Sequence, residues 1–201
     1  MVVLLYYNKI EKIQQQNLYF KNTKNVMENK GKVLILTGPG GSGKTTIADL
    51  LVEEYGFIKV DGDDLDSEFF SDGGQWLPEN IGKLKQSHDK ILKEVKKLFD
   101  KGKKVVLDYI IFGNYLEFFR KFKKEFGNDL EIKVLFPTEK EMVKRDKDRE
   151  CWTTGIDRIL TVHSEFEAVK DVLGKDNFID TTGQTPDDTL RKYFSERKEQ
   201  L

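Results

Sequence analysis

One stretch of the sequence decides the fold: Gly38-Pro39-Gly40-Gly41-Ser42-Gly43-Lys44-Thr45. It matches the phosphate-binding pattern G-x-x-x-x-G-K-[ST] at every fixed position. Its four glycines allow a tight backbone turn whose N–H groups point inward, so that a polyphosphate can fill the concavity. We predict that Lys44 supplies a positive charge to the β- and γ-phosphates and that the Thr45 hydroxyl binds Mg²⁺.

The flanking sequence places this loop between a strand and a helix. An apolar run at 33–37 precedes it, and residues 45–55 carry apolar side chains at helical spacing. The helix that begins near Lys44 adds the positive end of its dipole. A glycine-rich turn that binds nothing is the alternative, and the strand-loop-helix context argues against it. The residues predicted to bind the nucleotide are Gly38, Gly40, Gly41, Ser42, Gly43, Lys44, Thr45 and Thr46.

Length and composition bound the class of protein. A chain of 201 residues can bury the core of about one domain. Its formal net charge of −1 gives no electrostatic footprint for duplex nucleic acid or an anionic membrane. The single Cys151 excludes an intrachain disulfide, and the apolar run at 2–7 is too short to span a membrane. We therefore expect a cytoplasmic protein with no membrane partner.

The two ends of the chain differ from its centre. Residues 1–31 are rich in Asn, Gln and Lys, and we interpret them as an N-terminal extension that is non-native or disordered, with a natural start at Met27. The alternative is an added strand or hairpin at a sheet edge. One domain is predicted over 32–195, followed by a short tail at 196–201.

Strand and helix patterns alternate along the rest of the chain. Strands are predicted at 57–60, 104–108, 130–136 and 177–180. Helices are predicted at 80–100, 115–126, 140–149, 156–173 and from 187 or 188 to 194. This alternation predicts an α/β fold, a parallel sheet covered by helices on both faces.

An acidic segment, Asp61-Gly62-Asp63-Asp64, follows the second predicted strand. The carboxyl ends of parallel strands build the site in such sheets, so we predict that these carboxylates bind the phosphoryl acceptor. Asp63 is the favoured residue to orient an acceptor hydroxyl towards the γ-phosphoryl group, with Asp61 assisting. The alternative is an acidic turn with a helix N-cap.

Asp108 ends the third predicted strand, where it can hold Mg²⁺ through water together with Thr45. It could instead face the acceptor or be purely structural. Tyr109 is the next residue and a candidate for the acceptor pocket, as are Phe69, Phe70, Trp76, Phe112 and Trp152. For each of these aromatic residues a place in the core is the competing interpretation.

Arg145 and Arg149 are spaced i, i+4 on a predicted helix, which places both guanidinium groups on one face. Such a pair could close over the transferring phosphoryl group from a lid and neutralise transition-state charge. A solvated helix with Arg–Asp pairs is the alternative. Arg158 is a weaker third candidate.

With these residues in place, the chain resembles the small P-loop kinases of the nucleotide-kinase-like group, especially the chloramphenicol phosphotransferase-like and zeta-toxin-like branch. The resemblance rests on the phosphate loop, the Asp-Gly-Asp segment, residues 105–109, the pair Arg145 and Arg149, and residues 178–183. It implies a P-loop NTPase three-layer sandwich with a five-stranded parallel sheet of order 2-3-1-4-5 and an arginine-bearing lid. It also implies transfer of a phosphoryl group from ATP, with Mg²⁺, to a hydroxyl of a small molecule.

One departure bears on the acceptor. Nucleotide monophosphate kinases hold the acceptor phosphate with arginines, whereas no arginine occurs from Phe57 through Phe119. The early part of that interval is strongly acidic, which favours a neutral polyhydroxyl or cationic acceptor unless Lys83 or Lys85 compensates. Nucleic acid is therefore a less favoured partner.

Two other functions remain open from the sequence. One is a polynucleotide 5′-hydroxyl kinase or a nucleotide-sugar kinase of the toxin type. A polynucleotide kinase would bind its oligonucleotide acceptor in a salt-sensitive way. The other is a non-catalytic NTP-binding module. A guanine-nucleotide switch is not expected, because no N-K-x-D segment follows the late strand near Phe136.

Overall fold

The computed structural model describes residues 31–71, 73–75, 77–148 and 153–195. A five-stranded sheet with the order β2-β3-β1-β4-β5 forms its centre, and every strand pair is parallel. This confirms the predicted fold class and strand order. The strands are β1 Lys32–Thr37, β2 Ile58–Asp61, β3 Lys104–Asp108, β4 Leu130–Leu135 and β5 Phe178–Ile179.

Eight α-helices connect and follow these strands within the described residues. They are α1 Lys44–Tyr55, α2 Gly62–Ser67, α3 Ile81–Phe99, α4 Leu116–Phe126, α5 Glu139–Lys147, α6 Ile156–Ala168, α7 Lys170–Leu173 and α8 Pro186–Phe194. Most ends agree with the apolar spacing to within a residue or two. Capping residues explain two of the ends: Gly56 terminates α1 in a left-handed conformation, and Thr185 forms a capping box with Asp188 at the start of α8.

The side chains of β1 explain the three layers. Val33 and Ile35 pack into a hydrophobic cluster on one face of the sheet, and Leu34 and Leu36 pack into a second cluster on the other face. Successive strand side chains point to opposite faces, so a continuous apolar run is what a central strand covered on both sides requires. Helices α3, α4 and α6 contribute to the first cluster, whereas α1 and α8 contribute to the second.

Two elements differ from the sequence-based expectation. Residues 62–67, interpreted as part of an acidic segment, form helix α2, which Asp61 caps by accepting from the N–H groups of Asp63 and Asp64. The single helix predicted at 156–173 is interrupted at Val169, where the backbone adopts φ −102° and ψ 7° and the N–H of Val169 donates to Phe166 O. This tighter i to i+3 bond ends the α-helical ladder.

Some predictions lie outside the described residues. These are the extension before Gly31, the tail at 196–201, and the side chains of Trp76, Arg149 and Trp152. Among the described residues, no helix has the length and apolar character needed to cross a membrane.

Candidate functional site

The phosphate-binding loop connects β1 to α1 and has the backbone conformation that its glycines permit. Gly38, Gly41 and Gly43 have φ values of 147°, 76° and 95°, which lie in the left-handed region. The Lys44 ammonium group donates to the carbonyl oxygens of Gly38 at 3.0 Å and Pro39 at 3.3 Å. The lysine is thus held against the rim of the loop.

Sheet register brings two carboxylates and the loop together. In the parallel pairing, Asp108 at the end of β3 lies opposite Leu36 of β1 on one side and Asp61 of β2 on the other. The Thr45 hydroxyl donates to Asp108 Oδ2 at 2.7 Å. Burial raises the pKa of the Asp108 carboxyl, with Lys44 and the Thr45 hydrogen bond opposing the shift. The predicted metal-binding pair is therefore adjacent at the carboxyl edge of the sheet.

Asp63 lies near this pair, in the first turn of α2. Its side chain is exposed to solvent. Desolvation by the surrounding protein atoms raises the pKa of Asp63 to about 6; Lys44 lowers it, while Asp61 and Asp108 raise it. A carboxylate with this pKa is half ionised near pH 6 and able to accept a proton at neutral pH.

The other residues of the acidic segment hold different positions. Asp61 Oδ1 accepts from the N–H of Asp63 at 3.0 Å and of Asp64 at 3.2 Å, so one of its oxygens is used as the N-cap of α2. Asp64 is exposed. Gly62 fits between them because a Cβ at this position would lie only 2.2 Å from the Tyr109 ring.

Tyr109 packs against the acidic segment inside the protein and is not exposed to solvent. Its side chain is fully buried, and its hydroxyl donates to Asp66 Oδ2 at 2.5 Å. Ser87 of α3 also donates to the Asp66 carboxylate, which is buried. His88 Nε2 lies 3.1 Å from the Tyr109 oxygen. Because the tyrosine proton goes to Asp66, His88 is the donor in this last bond.

Sequence reasoning missed this network of Ser87, Asp66, Tyr109 and His88. A signal was present: Gly62, Asp66 and Phe70 are spaced i, i+4, i+8, and all three are buried. Such spacing predicts one inward face of a helical segment. A carboxylate in the middle of an inward face requires hydrogen-bond partners, which here come from α3 and from the residue after β3.

Replacing Tyr109 with phenylalanine is expected to lower the free energy of unfolding by about 1–3 kcal/mol, because the buried Asp66 carboxylate loses a donor. Urea unfolding measured by circular dichroism tests this. Tyr193→Phe is the matched control, since the Tyr193 hydroxyl donates to Asp180 O at an exposed site. Equal losses in the two variants would contradict the prediction.

His88 makes folding pH-dependent at the acidic end. Burial lowers the pKa of its imidazole to about 4 from the ordinary value of 6.5, Lys121 adds to the shift, and Asp89 opposes it. The unfolded chain therefore binds the proton first as the pH falls. The contribution of His88 to stability is complete above pH 6.5 and is lost as the pH falls towards 4.

A cavity of about 320 Å³ lies beside residues 41–43 of the phosphate loop. Its lining includes loop residues, apolar side chains and one guanidinium group: Gly41, Ser42, Gly43, Thr46, Ile47, Leu135, Arg145, Thr181, Gln184, Pro186 and Thr189. Arg145 was predicted to close over the transferring phosphoryl group. Its Nη2 donates to Thr181 O at 2.7 Å, its Nε to Glu141 at 2.8 Å and its Nη1 to Ser42 O of the phosphate loop at 3.4 Å. It thus forms part of the cavity wall.

The chain was compared with protein families, with curated proteins and with solved structures. A family profile described as an AAA domain matches residues 37–159. Comparison with curated proteins gives no significant match.

Several solved structures have a similar fold. A gluconokinase from Sinorhizobium meliloti 1021 aligns with a TM-score of 0.58 and 17% identity, over 84% of this chain and 92% of that chain. A sugar kinase from Janibacter sp. HTCC2649 gives 0.61 and 18%, over 82% and 93%. A shikimate kinase from Acinetobacter baumannii in complex with shikimate gives 0.53 and 19%, over 82% and 94%. At these identities the likeness concerns the fold.

Proposed function

The chain belongs to the AAA domain family, and from this membership and the site geometry we propose that it is a kinase that transfers the γ-phosphoryl group of ATP to a hydroxyl of a small molecule. One arrangement carries the proposal: the Thr45 hydroxyl donates to Asp108 Oδ2 at 2.7 Å at the end of the phosphate loop, and Asp63, with a pKa raised to about 6, lies within electrostatic reach of Lys44 and Asp108. A binding module needs the loop alone. A phosphoryl-transfer enzyme also needs a carboxylate poised for a proton beside the phosphates.

The donor side can hold a nucleoside triphosphate. The amides of residues 40–45 and the Lys44 ammonium suit the phosphates, since backbone N–H groups at a helix start bind anions. The 320 Å³ cavity next to them is large enough for part of a nucleoside. A planar guanidinium such as that of Arg145 stacks well on an aromatic ring, so we assign Arg145 to the base side of this cavity. Arg149 remains the proposed lid arginine.

Thr45 and Asp108 fit a Mg²⁺ ion bound with the nucleotide. A hydroxyl and a carboxylate 2.7 Å apart offer hard oxygen donors of the type that Mg²⁺ takes alongside substrate phosphates. The ion would neutralise negative charge on the phosphate oxygens. Asp108, with 5% exposure, is held in place by burial and by the Thr45 hydrogen bond.

Asp108→Asn is expected to raise the Mg²⁺ concentration that gives half-maximal activity by about 10-fold or more, because the amide retains the size but not the charge of the carboxylate. A Mg²⁺ titration at saturating ATP measures this. Asp171→Asn, a substitution of an exposed aspartate on α7, is the control for loss of one negative charge. An unchanged titration curve for a folded Asp108→Asn protein would remove Asp108 from the metal site.

Asp63 is the residue that we propose to act on the acceptor. The acceptor oxygen forms a bond to the γ-phosphorus while the bond from that phosphorus to the β,γ-bridging oxygen breaks, which releases ADP. The acceptor proton passes to the Asp63 carboxylate. Because this transition state is loose, Asp63 chiefly orients the hydroxyl, and proton transfer comes late.

The acceptor side is rich in carboxylates and poor in cations. Asp61, Asp63 and Asp108 interact electrostatically there, and no arginine lies between Phe57 and Phe119. Lys85 extends to Glu117 at 3.6 Å, beside the groove between α3 and α4. These charges support a neutral polyhydroxyl or cationic acceptor over a phosphorylated one. The chloramphenicol phosphotransferase-like and zeta-toxin-like branch remains our proposed placement within the kinases.

A transfer screen with γ-labelled ATP tests the function. The acceptors are sugars, nucleosides, aminoglycosides and 5′-hydroxyl oligonucleotides, with Mg²⁺ present. Label on a sugar, nucleoside or aminoglycoside supports the proposal, whereas label on the oligonucleotide alone supports a polynucleotide kinase. Label recovered only as free phosphate throughout would leave the kinase proposal without support.

A further inference from the structure

Thr154, which precedes α6, packs directly on the phosphate loop. A Cβ built on Gly40 would lie 2.7 Å from Thr154 Oγ1 and 3.1 Å from Thr154 Cγ2. Gly40 is not among the loop glycines with positive φ, so its backbone conformation suits any residue. The close approach of Thr154 is therefore what requires glycine at this position.

A buried carboxylate fixes Thr154 in this place. Asp146, on α5, has 3% exposure, and its Oδ1 accepts from the Thr154 N–H at 2.9 Å. Its Oδ2 accepts from the N–H of Gly155, the N-cap of α6, at 3.1 Å. Both carboxylate oxygens thus tie the start of α6 to α5. Charge-assisted bonds of this kind hold a backbone segment firmly.

The Thr154 hydroxyl is buried and unpaired. Its Oγ1 has no hydrogen-bond partner among the described residues. A buried hydroxyl without a partner destabilises the folded state, so such a group in a folded protein points to a ligand that satisfies it.

The position of Lys44 indicates which part of the ligand lies there. Its ammonium group rests on the carbonyls of Gly38 and Pro39, the two residues before Gly40. The lysine of this motif reaches the β- and γ-phosphates. The cavity assigned to the nucleoside opens instead beside Gly41, Ser42 and Gly43. Gly40 and Thr154 therefore lie at the γ-phosphate end of the loop.

We propose that Thr154 Oγ1 donates a hydrogen bond to the γ-phosphate of the bound nucleotide, and that Asp146 is the positioning residue that holds it there. Thr154 then distinguishes the triphosphate from the diphosphate product. The inference rests on the proposed function, because it requires the loop to bind a nucleoside triphosphate.

Thr154→Val tests the hydroxyl, since valine keeps the shape of the side chain. Isothermal titration calorimetry with Mg²⁺ measures the affinities for the non-hydrolysable analogue AMP-PNP and for ADP. We expect the valine variant to bind AMP-PNP about 10-fold more weakly, because it loses one hydrogen bond to a charged group. Its affinity for ADP should stay within about 2-fold of the wild-type value. Thr154→Ser should retain most of the affinity for AMP-PNP, and Thr153→Val, at the exposed neighbouring residue, should match the wild type.

Asp146→Asn tests the positioning role. It should weaken AMP-PNP binding when made in the wild-type protein. Made in the Thr154→Val variant it should have little further effect, because both substitutions remove the hydrogen bond from Thr154 Oγ1 to the γ-phosphate. Thermal melts show whether each variant is folded.

The outcomes separate this inference from the proposed function. If AMP-PNP and ADP weaken equally in Thr154→Val, or neither weakens, the inference is wrong, while nucleotide binding by the wild type stands. If the wild type binds neither nucleotide, the proposed function and the inference both fail.

Discussion

Asp63→Asn is expected to lower kcat by roughly 10²-fold or more, because the amide can no longer take the acceptor proton. Its KM for ATP should stay close to that of the wild type, since the phosphate loop is untouched. The pKa of Asp63 is raised to about 6, so the wild-type rate should fall as the pH drops through about 6, where the carboxylate becomes protonated. The residual activity of the variant should lack this acidic limb.

Stability measurements separate a catalytic from a structural role for Asp63. A carboxyl whose folded-state pKa lies above its ordinary value of 3.8 destabilises the folded state as it ionises, between about pH 4 and 6. Removing the charge should therefore leave the variant at least as stable as the wild type at pH 7. Glu68→Gln is the control at a carboxylate that pairs with Lys90 on the outer side of α3. Unchanged turnover in folded Asp63→Asn protein would exclude Asp63 from the mechanism.

The fold could be predicted because its signals are local. Residues 33–36 are apolar and feed both hydrophobic clusters, so a run of four is enough to mark the central strand of a sheet covered on both faces. The loop after it has fixed glycine positions, and the strand order follows from the family of P-loop proteins that it resembles. β3 was predicted at 104–108 and forms there.

Helix α2 could not be predicted in the same way. Residues 62–67 are glycine, serine and acidic side chains around one leucine, with weak helix propensity. Its stability comes from the Asp61 cap and from contacts of Asp66 with Ser87 and Tyr109, which are distant in sequence. The spacing of Gly62, Asp66 and Phe70 indicates an inward face, but a single sequence does not show which distant residues pack against it.

In the candidate site, too, some features could be predicted from the sequence and others could not. The adjacency of Thr45 and Asp108 followed from strand order, because the carboxyl ends of neighbouring parallel strands meet at one edge. The i, i+4 spacing of Arg145 and Arg149 predicted a shared helix face but not the partners of Arg145 Nη2, which come from the segment after β5. The approach of Thr154 to Gly40 depends on how α5 and α6 return over the loop. Spacing along the chain does not contain that information.

Lys44→Ala is expected to lower kcat by roughly 10²-fold or more, because a fixed positive charge near the β- and γ-phosphates stabilises negative charge that grows in the transition state. Lys44→Arg should recover only part of this loss, since the guanidinium differs in shape from the ammonium that fits between Gly38 O and Pro39 O. Lys97→Ala, at an exposed lysine paired with Glu94, controls for the lost charge.

The same substitution should move the pH profile. Lys44 lowers the pKa of both Asp63 and Asp108, so its removal should raise both, and the acidic limb near pH 6 should shift to higher pH in Lys44→Ala. Rates measured from pH 5 to 8 at saturating substrates test this against Lys97→Ala, whose limb should stay in place. If the acidic limb of the pH profile does not move in Lys44→Ala, despite a large fall in kcat, Lys44 acts on the phosphates without affecting the pKa of Asp63. The two sides of the site would then be electrostatically independent.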